Sequence, residues 1–325
     1  MIGISMLTLR PGRMGGSETY ARELVRALAQ HGSLEYQCLV PARAPDAGDG
    51  LPAVIGSRLE GLRAIHYPFT IPFPRAALPT AVTIHDLMHR EHAGLPRSWR
   101  RFVRRYTYDH GARRARLVIV PSEFYRRRAH ELLGIPVERI RVVGHGVDHA
   151  RFHPDAEQRA GFLLYPAEPW PHKNHQRLLQ AFARLRAERP GLELVLAGSG
   201  FRDLPAGVRT VGRVSADELA TLYRRAGALA FPSLYEGFGL PPLEAMASGC
   251  PVACSSAGAL PETCGEAAAF FDPTSVDEIV AAVSRALDDD GELVRRGLAH
   301  ARAFTWAQAA TAHEAVYLEL SRVDG

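Results

Sequence analysis

At 325 residues, with 46% hydrophobic and 23% charged side chains, the chain has the length for about two domains and the composition of an ordinary globular protein. No apolar run approaches the roughly 20 residues that a membrane-spanning helix needs, and residues 1–7 are too short and uncharged for a signal peptide, so a cytosolic chain is expected. Cys38, Cys250, Cys254 and Cys264 show no C-x-x-C pairing, so neither a zinc site nor a disulfide framework is indicated.

The net charge of +4 hides an asymmetry, because residues 1–150 carry 22 Arg against 13 acids while the remainder carries 17 basic residues against 22 acids. The first half should therefore meet an anionic partner more readily. Of 39 basic residues only Lys173 is a lysine, which singles it out in a chain that otherwise uses Arg.

Residues 2–7 read as a strand, followed by a loop with Gly15 and Gly16 and a helix whose apolar positions, from Tyr20 to Leu28, recur at helical spacing. Strand, glycine-rich loop and helix open a Rossmann-like unit, with Ser17 placed to cap the helix. Residues 34–40 read as a second strand, and residues 41–62, rich in Gly, Pro and Asp, as loop. A strand over residues 80–84 places His85 at its carboxyl end, on the same sheet edge as Gly15 and Gly16.

The stretch from Arg97 to Arg128 holds 11 Arg against Asp109 and Glu123, with Trp99, Phe102, Val103 and Tyr106 at helical spacing. Such a helix either lies on an anionic membrane surface or packs on a core with a solvated Arg face. No nucleic-acid motif accompanies the charge. Residues 117–120 form a further strand, and Gly144 to Asp148 with Phe152-His153-Pro154 follow.

The second domain opens with a strand over 162–167, then Glu168-Pro169-Trp170-Pro171-His172-Lys173-Asn174 and a helix. Strands at 192–197 and 208–211 follow, the latter running into Gly212-Arg213-Val214. The strand over 228–231 leads into Ser233 to Glu244, where Pro241 and Pro242 start a helix that stops before Gly249. Glu236 then lies on a loop at the carboxyl end of a strand, where open α/β sheets bind ligands, and Glu244 about one turn into the helix. The amides of Phe238, Gly239 and Leu240 and the positive helix end suit a diphosphate, while two ionised carboxylates suit sugar and ribose hydroxyls. The stretch reads as a nucleotide-sugar site.

With Gly237, Phe238, Gly239 and Pro241, the pair Glu236 and Glu244 resembles the E-x7-E signature of the retaining glycosyltransferases of family 4. The blocks around His85, Lys173 and Gly212 are similar to segments of the same family, so the resemblance runs from residue 15 to about 262. It implies a GT-B architecture, α/β with two Rossmann-like domains facing across a cleft: residues 1–154 on the acceptor side, 155–305 binding the donor, and 306–325 as a helix returning to the first domain. It implies Glu236 by the donor sugar, Glu244 on the ribose, Lys173 on the diphosphate, His85 near the reaction centre, Gly15 and Gly16 facing diphosphate and acceptor, and Arg213 and Val214 near the base.

Many relatives carry an Arg five residues before the Lys or next to it; here those positions are Glu168 and His172, and protonated His172 is the candidate second cation. The implied reaction transfers a hexose from GDP-mannose or a UDP-hexose to a glycan, lipid-linked or small-molecule hydroxyl, with no cofactor and no metal. The Trp170 to His175 block and the Pro-rich Tyr67 to Pro74 segment resemble bacterial surface-polysaccharide mannosyltransferases, which favours GDP-mannose. A nucleotide-sugar epimerase, a non-catalytic nucleotide-sugar binder and a membrane-surface module are the rival classes.

Overall fold

The structure, a computed structural model, describes residues 1–87, 90, 99–155 and 160–322, with the backbone alone for 99–106. The chain divides into two compact units. Unit 1 comprises Met1–Gly146 with Trp306–Gly325, and unit 2 comprises Val147–Thr305.

Unit 1 runs β1 (Ile2–Ser5), α1 (Gly16–His31), β2 (Tyr36–Val40), β3 (Ala53–Ile55), β4 (Ala64–Tyr67), β5 (Thr80–Thr83), α2 (Trp99–Arg114), β6 (Leu117–Val120), α3 (Glu123–Leu133) and β7 (Ile140–Val142). The seven strands form one sheet in the order β3-β2-β1-β4-β5-β6-β7, with every pairing parallel. Strands β1, β2, β4 and β6 are buried along their whole length, as a parallel sheet covered on both faces requires. All carboxyl ends share one edge, so the loops after β1 and β5 emerge side by side with only β4 between them.

Two local expectations fail. The N-cap of α1 is Gly15, not Ser17, which lies inside the first turn; that turn is tied back instead by Glu18, whose Oε2 accepts from the Gly12 amide at 2.8 Å. The region 41–62 is not all loop. It contains β3, which pairs in parallel with β2 at the sheet edge. Three residues with Ile55 62% exposed are too few to show a strand period.

The final helix, α10 (Trp306–Ser321), packs along α1 in unit 1. Its buried face mixes apolar and polar groups. The Tyr20 hydroxyl lies 2.8 Å from His313 Nε2 and 3.1 Å from Thr83 Oγ1, and His66 bridges Tyr317 and Thr83 at 2.8 Å to each. Glu314 accepts from the amides of Ser33 at 2.5 Å and Leu34 at 2.9 Å and from the Tyr36 hydroxyl. Burial favours its protonated form, but these bonds outweigh burial and hold the carboxyl below its usual range.

Unit 2 runs β8 (Leu163–Tyr165), α4 (His175–Glu188), β9 (Leu194–Ala197), β10 (Val208–Gly212), α5 (Ala216–Arg225), β11 (Ala228–Phe231), α6 (Leu240–Ala247), β12 (Val252–Ser255), α7 (Leu260–Cys264), β13 (Ala269–Phe271), α8 (Val276–Leu287) and α9 (Glu292–Ala301). The sheet is parallel in the order β10-β9-β8-β11-β12-β13. Strand order reverses between β8 and β11, which makes that point the natural crevice. The unit begins at Val147 rather than near 155, because the Val147 amide bonds the Phe304 carbonyl at 3.0 Å and the Phe152 ring packs on Tyr223, 6.0 Å between centroids.

Among the described residues no helix is long and apolar enough to cross a membrane. Arg97 and the side chains of 99–106 lie outside the described residues, so the basic face expected there is not described. Further along, arginines find local acceptors: Arg113 Nε donates to the Leu133 carbonyl at 2.9 Å, and Arg126 pairs with Glu123 at 3.2 Å.

His66, His85, His145 and His313 are all held below the usual histidine pKa, chiefly by burial, and that of His313 is pushed down to about 4. In the unfolded chain histidine protonates near 6.5, so the contribution of these neutral rings is complete above about 6.5 and is lost as pH falls toward 4. His313 alone accounts for on the order of 3 kcal/mol across that window. Urea midpoints followed by far-UV circular dichroism should fall between pH 7 and pH 4.5; a flat profile would show the histidines to be solvated.

Candidate active site

The reversal point in unit 2 is built by two loops bolted together. After β8 the chain makes a single 3-10 turn, Pro171–Lys173, and Asn174 takes a left-handed conformation with φ 59°. Asn174 Nδ2 donates to the carbonyls of Pro232 at 3.0 Å and Pro273 at 2.7 Å, and the Leu234 amide donates to the His172 carbonyl at 2.7 Å. From below, the buried Tyr165 hydroxyl donates to the Lys173 carbonyl at 2.7 Å.

These bonds bring Lys173 and Glu236 into an ion pair, Nζ to Oε1 2.6 Å, with side chains 19% and 14% exposed. The ammonium also stands 5.5 Å from the centre of the Phe231 ring. A pair this shielded is oriented by its surroundings, and removing one partner leaves a partly desolvated charge on the other. The backbone under Glu236 is fixed as well, its carbonyl accepting from the Ala259 amide at 3.2 Å. Gly258 permits that approach. Its φ is +66°, and a Cβ there would lie 2.8 Å from the Glu236 carbonyl oxygen and 3.0 Å from its nitrogen.

Gly239 is the N-cap of α6, which has no side-chain cap. Pro241 and Pro242 occupy positions where an amide would be unpaired in the helix. Phe238 turns its ring inward, 7% exposed and 6.1 Å from Phe304, so it can offer a ligand only backbone, as can Gly239. Leu240 starts the helix half-buried. One turn on, Glu244 Oε2 accepts from the Tyr223 hydroxyl at 3.2 Å. Tyr223 is fully buried, and burial followed by the Glu244 charge pushes its hydroxyl well above its ordinary pKa, so it acts as a fixed donor.

Arg213 does not stand alone. It leaves the end of β10 and its Nε donates to Glu168 Oε1 at 2.8 Å, while Glu168 also accepts from the Ser199 amide at 3.1 Å and the Ser199 hydroxyl at 3.0 Å. Partial burial raises the Glu168 pKa, but the bonds from Arg213 and Ser199 bring it below the usual value. Val214 is half-buried against the core of unit 2, which leaves its backbone as the contacting part.

In unit 1, Gly15 with φ 54° and ψ −137° and Gly16 front open space, since a Cβ on either meets nothing within 4 Å. Tyr20, one turn into α1, touches the His85 ring edge-on, 4.7 Å between centroids. His85 Nε2 lies 2.7 Å from the Pro68 carbonyl oxygen. A carbonyl only accepts, so Nε2 carries the proton and Nδ1 is left as an acceptor. His145 closes the cluster, 6.2 Å from His85, 4.6 Å from Tyr20 and stacked on Trp306.

Sequence reasoning missed Tyr20, Tyr165, Tyr223, His145, Gly258 and the Glu168 clamp. Most act on a site residue through a contact distant in sequence, such as Glu168 with Arg213 across 45 positions, and no local pattern marks them.

Residues 148–302 match the family model described as glycosyl transferases group 1, and residues 58–151 that of Glycosyltransferase Family 4. The O-antigen chain mannosyltransferase B of Escherichia coli is 35% identical over 225 residues, covering 61% of this chain and 59% of that protein. The MMP alpha-(1->4)-mannosyltransferase of Mycolicibacterium hassiacum is 39% identical over 201 residues, covering 55% and 48%. The chain thus spans about half the length of the curated relatives it matches. In fold it is similar to a sucrose-phosphate synthase from Thermosynechococcus elongatus, with a TM-score of 0.80 at 20% identity over 98% of each chain. Anabaena HepE in complex with UDP and glucose gives 0.75 at 16% identity over 99% of each chain. The architecture is the two-domain α/β fold of the GT-B kind.

Gly258→Ala should destabilise unit 2 by about 1–3 kcal/mol, since the side chain forces either a left-handed alanine or a shift of the Glu236 backbone. Urea unfolding of the variant measures this; an unchanged midpoint would mean that the Glu236 loop moves aside at no cost.

Proposed function

The chain is of the family 4 type among glycosyltransferases, and on that premise we propose that it transfers a hexose from a nucleoside-diphosphate sugar to a hydroxyl, with retention at the anomeric carbon and without a metal ion. The observation that carries this reading is the Lys173–Glu236 pair, locked at the carboxyl edge of a parallel sheet beside the start of an uncapped helix.

The donor diphosphate lies against the N-terminus of α6 and the Lys173 ammonium, which has three N–H groups to share between Glu236 and phosphate oxygens. Glu244, oriented by Tyr223, accepts from ribose hydroxyls, and Glu236 accepts from hydroxyls of the sugar. In the transfer step the bond from the anomeric carbon to the diphosphate oxygen breaks as the acceptor oxygen approaches on the same face. The acceptor proton passes to the departing diphosphate, so no pair of hydrolytic carboxylates is required. The chain's work is to position the donor and to cancel the charge that grows on the leaving group. On unit 1 we assign His85 Nδ1 to accept a substrate hydroxyl, with the ground over Gly15 and Gly16 receiving substrate. Mannosyltransferase relatives at 35% and 39% identity favour GDP-mannose as donor over a UDP-hexose.

Lys173→Met should lower kcat for transfer by about 100- to 1,000-fold, the scale seen when one preorganised charge-stabilising group is removed. EDTA should leave the rate unchanged. A donor present at 100 times its Kd should stabilise the wild-type protein by about 2.7 kcal/mol, and Glu244→Ala should lose that shift. Absence of a shift with every nucleotide sugar would overturn the reading, and formation of an epimerised nucleotide sugar without acceptor would replace it with an isomerase.

A further inference from the structure

Five buried polar side chains of unit 1 take no part in the transfer described above, yet they form one continuous line. Tyr317, His66, Thr83, Tyr20 and His313 follow one another by hydrogen bonds, from α10 through β4, β5 and α1 and back to α10. None is more than 1% exposed. Polar groups this deep are tolerated where each finds its partner, and here the partners also fix the direction of every bond.

The direction is set by a group that cannot donate. The Ala309 carbonyl lies 2.7 Å from His313 Nδ1, so Nδ1 carries the proton and Nε2 is an acceptor. Burial holds His313 and His66 below the usual histidine pKa, which leaves both neutral at pH 7. Tyr20 therefore donates its one hydroxyl proton to His313 Nε2 at 2.8 Å, and its oxygen accepts from the Thr83 hydroxyl at 3.1 Å. Thr83 has then used its own proton and accepts from His66 Nε2 at 2.8 Å. That leaves His66 Nδ1 to accept from the Tyr317 hydroxyl at 2.8 Å. Reversing any one bond sets two donors or two acceptors against each other.

The line bears on His85. A tyrosine pinned at its hydroxyl by two partners and at its Cα by a helix has little freedom left for its ring. That ring meets His85 at 4.7 Å between centroids and 72° between planes. His85 is half-buried, and the Pro68 carbonyl holds it by one atom, Nε2, at 2.7 Å. A ring held at one atom swings about that bond unless a wall stops it, and the Tyr20 ring is such a wall. Thr83, two residues before His85, also acts through its backbone: its carbonyl accepts from Thr70 Oγ1 at 3.1 Å, which ties down the loop that carries Pro68.

We propose that His313, on α10, is a positioning residue for His85, acting through the pinned Tyr20 ring. The inference rests on the reading above in which His85 Nδ1 accepts a substrate hydroxyl, and it gives a fully buried residue of the last helix a part in that contact.

Nitrogen-15 NMR of protein labelled at histidine tests this, first without any variant. In the wild-type protein at pH 7, His313 should be the Nδ1–H tautomer and His66 the Nε2–H tautomer. The opposite tautomer at either would break the line and overturn the proposal. Methyl α-mannopyranoside and GDP-mannose are the probes for the second arm, and at least one should shift the His85 Nδ1 resonance. His313→Leu, which removes the acceptor, should weaken that probe about 10-fold, the scale of one lost hydrogen bond. His313→Gln, whose side-chain oxygen accepts from Tyr20, should restore it. Tyr20→Phe, which keeps the ring but frees it, should match His313→Leu, and carries the same comparison if the leucine variant melts below the assay temperature. An equal shift and affinity in the wild-type protein and in these two variants would overturn the positioning role and leave the His85 contact standing. Equal losses in the leucine and glutamine variants would assign His313 to packing alone and overturn it as well. No shift of His85 with either probe in the wild-type protein would overturn the substrate contact itself, and the proposal with it.

Discussion

A lysine ammonium and a glutamate carboxylate 2.6 Å apart, mostly withdrawn from water, are the interaction on which unit 2 is arranged. Neither group would keep its place alone. The loop bearing Lys173 is held by Tyr165 from the core and by Asn174 from the side, and the loop bearing Glu236 is held by Ala259 and the close approach of Gly258. Apolar burial in the sheet below supplies the stability that lets a polar arrangement be fixed above it. The result is a preorganised charge pair at the point where strand order reverses.

Unit 1 solves a different problem with the same means. Its buried histidines, His85 and His145 after strands of the sheet and His313 on α10, are kept neutral by burial. The Pro68 carbonyl selects the His85 tautomer, and Tyr20 and His145 pack against its ring. Helix α10 completes this scaffold, since His313 and Tyr317 reach Tyr20 and His66 from the far end of the chain. The last segment of sequence is therefore a structural part of the first unit.

Much of this was legible beforehand, for identifiable reasons. Continuous apolar strands separated by amphipathic helices announce parallel sheets, and a strand end placed before a glycine-flanked glutamate announces a ligand edge. A single lysine among 39 basic residues drew attention to Lys173, which the structure joins to Glu236. What was not legible depends on topology. Tyr223 meets Glu244 only because α5 and α6 pack together, and the histidine cluster forms only because α10 returns to unit 1. Glu168 read as a departure from the pattern of relatives, an acid where a base was expected; its bond to Arg213 across 45 positions gives that departure a structural meaning. Ser17 misled because a serine near a helix start caps it only if the backbone turns there, and here it turns at Gly15.

The central claim is that Lys173 meets the leaving diphosphate. Phosphorus-31 NMR of GDP and of UDP bound to the wild-type protein and to Lys173→Met tests it at the atom concerned. The β-phosphorus resonance should move on binding to the wild-type protein and return toward its free position in the variant, with the α-phosphorus less affected. A β-phosphorus shift of the same size in both proteins would contradict the account and move the lysine's role from the donor to the structure of its own loop.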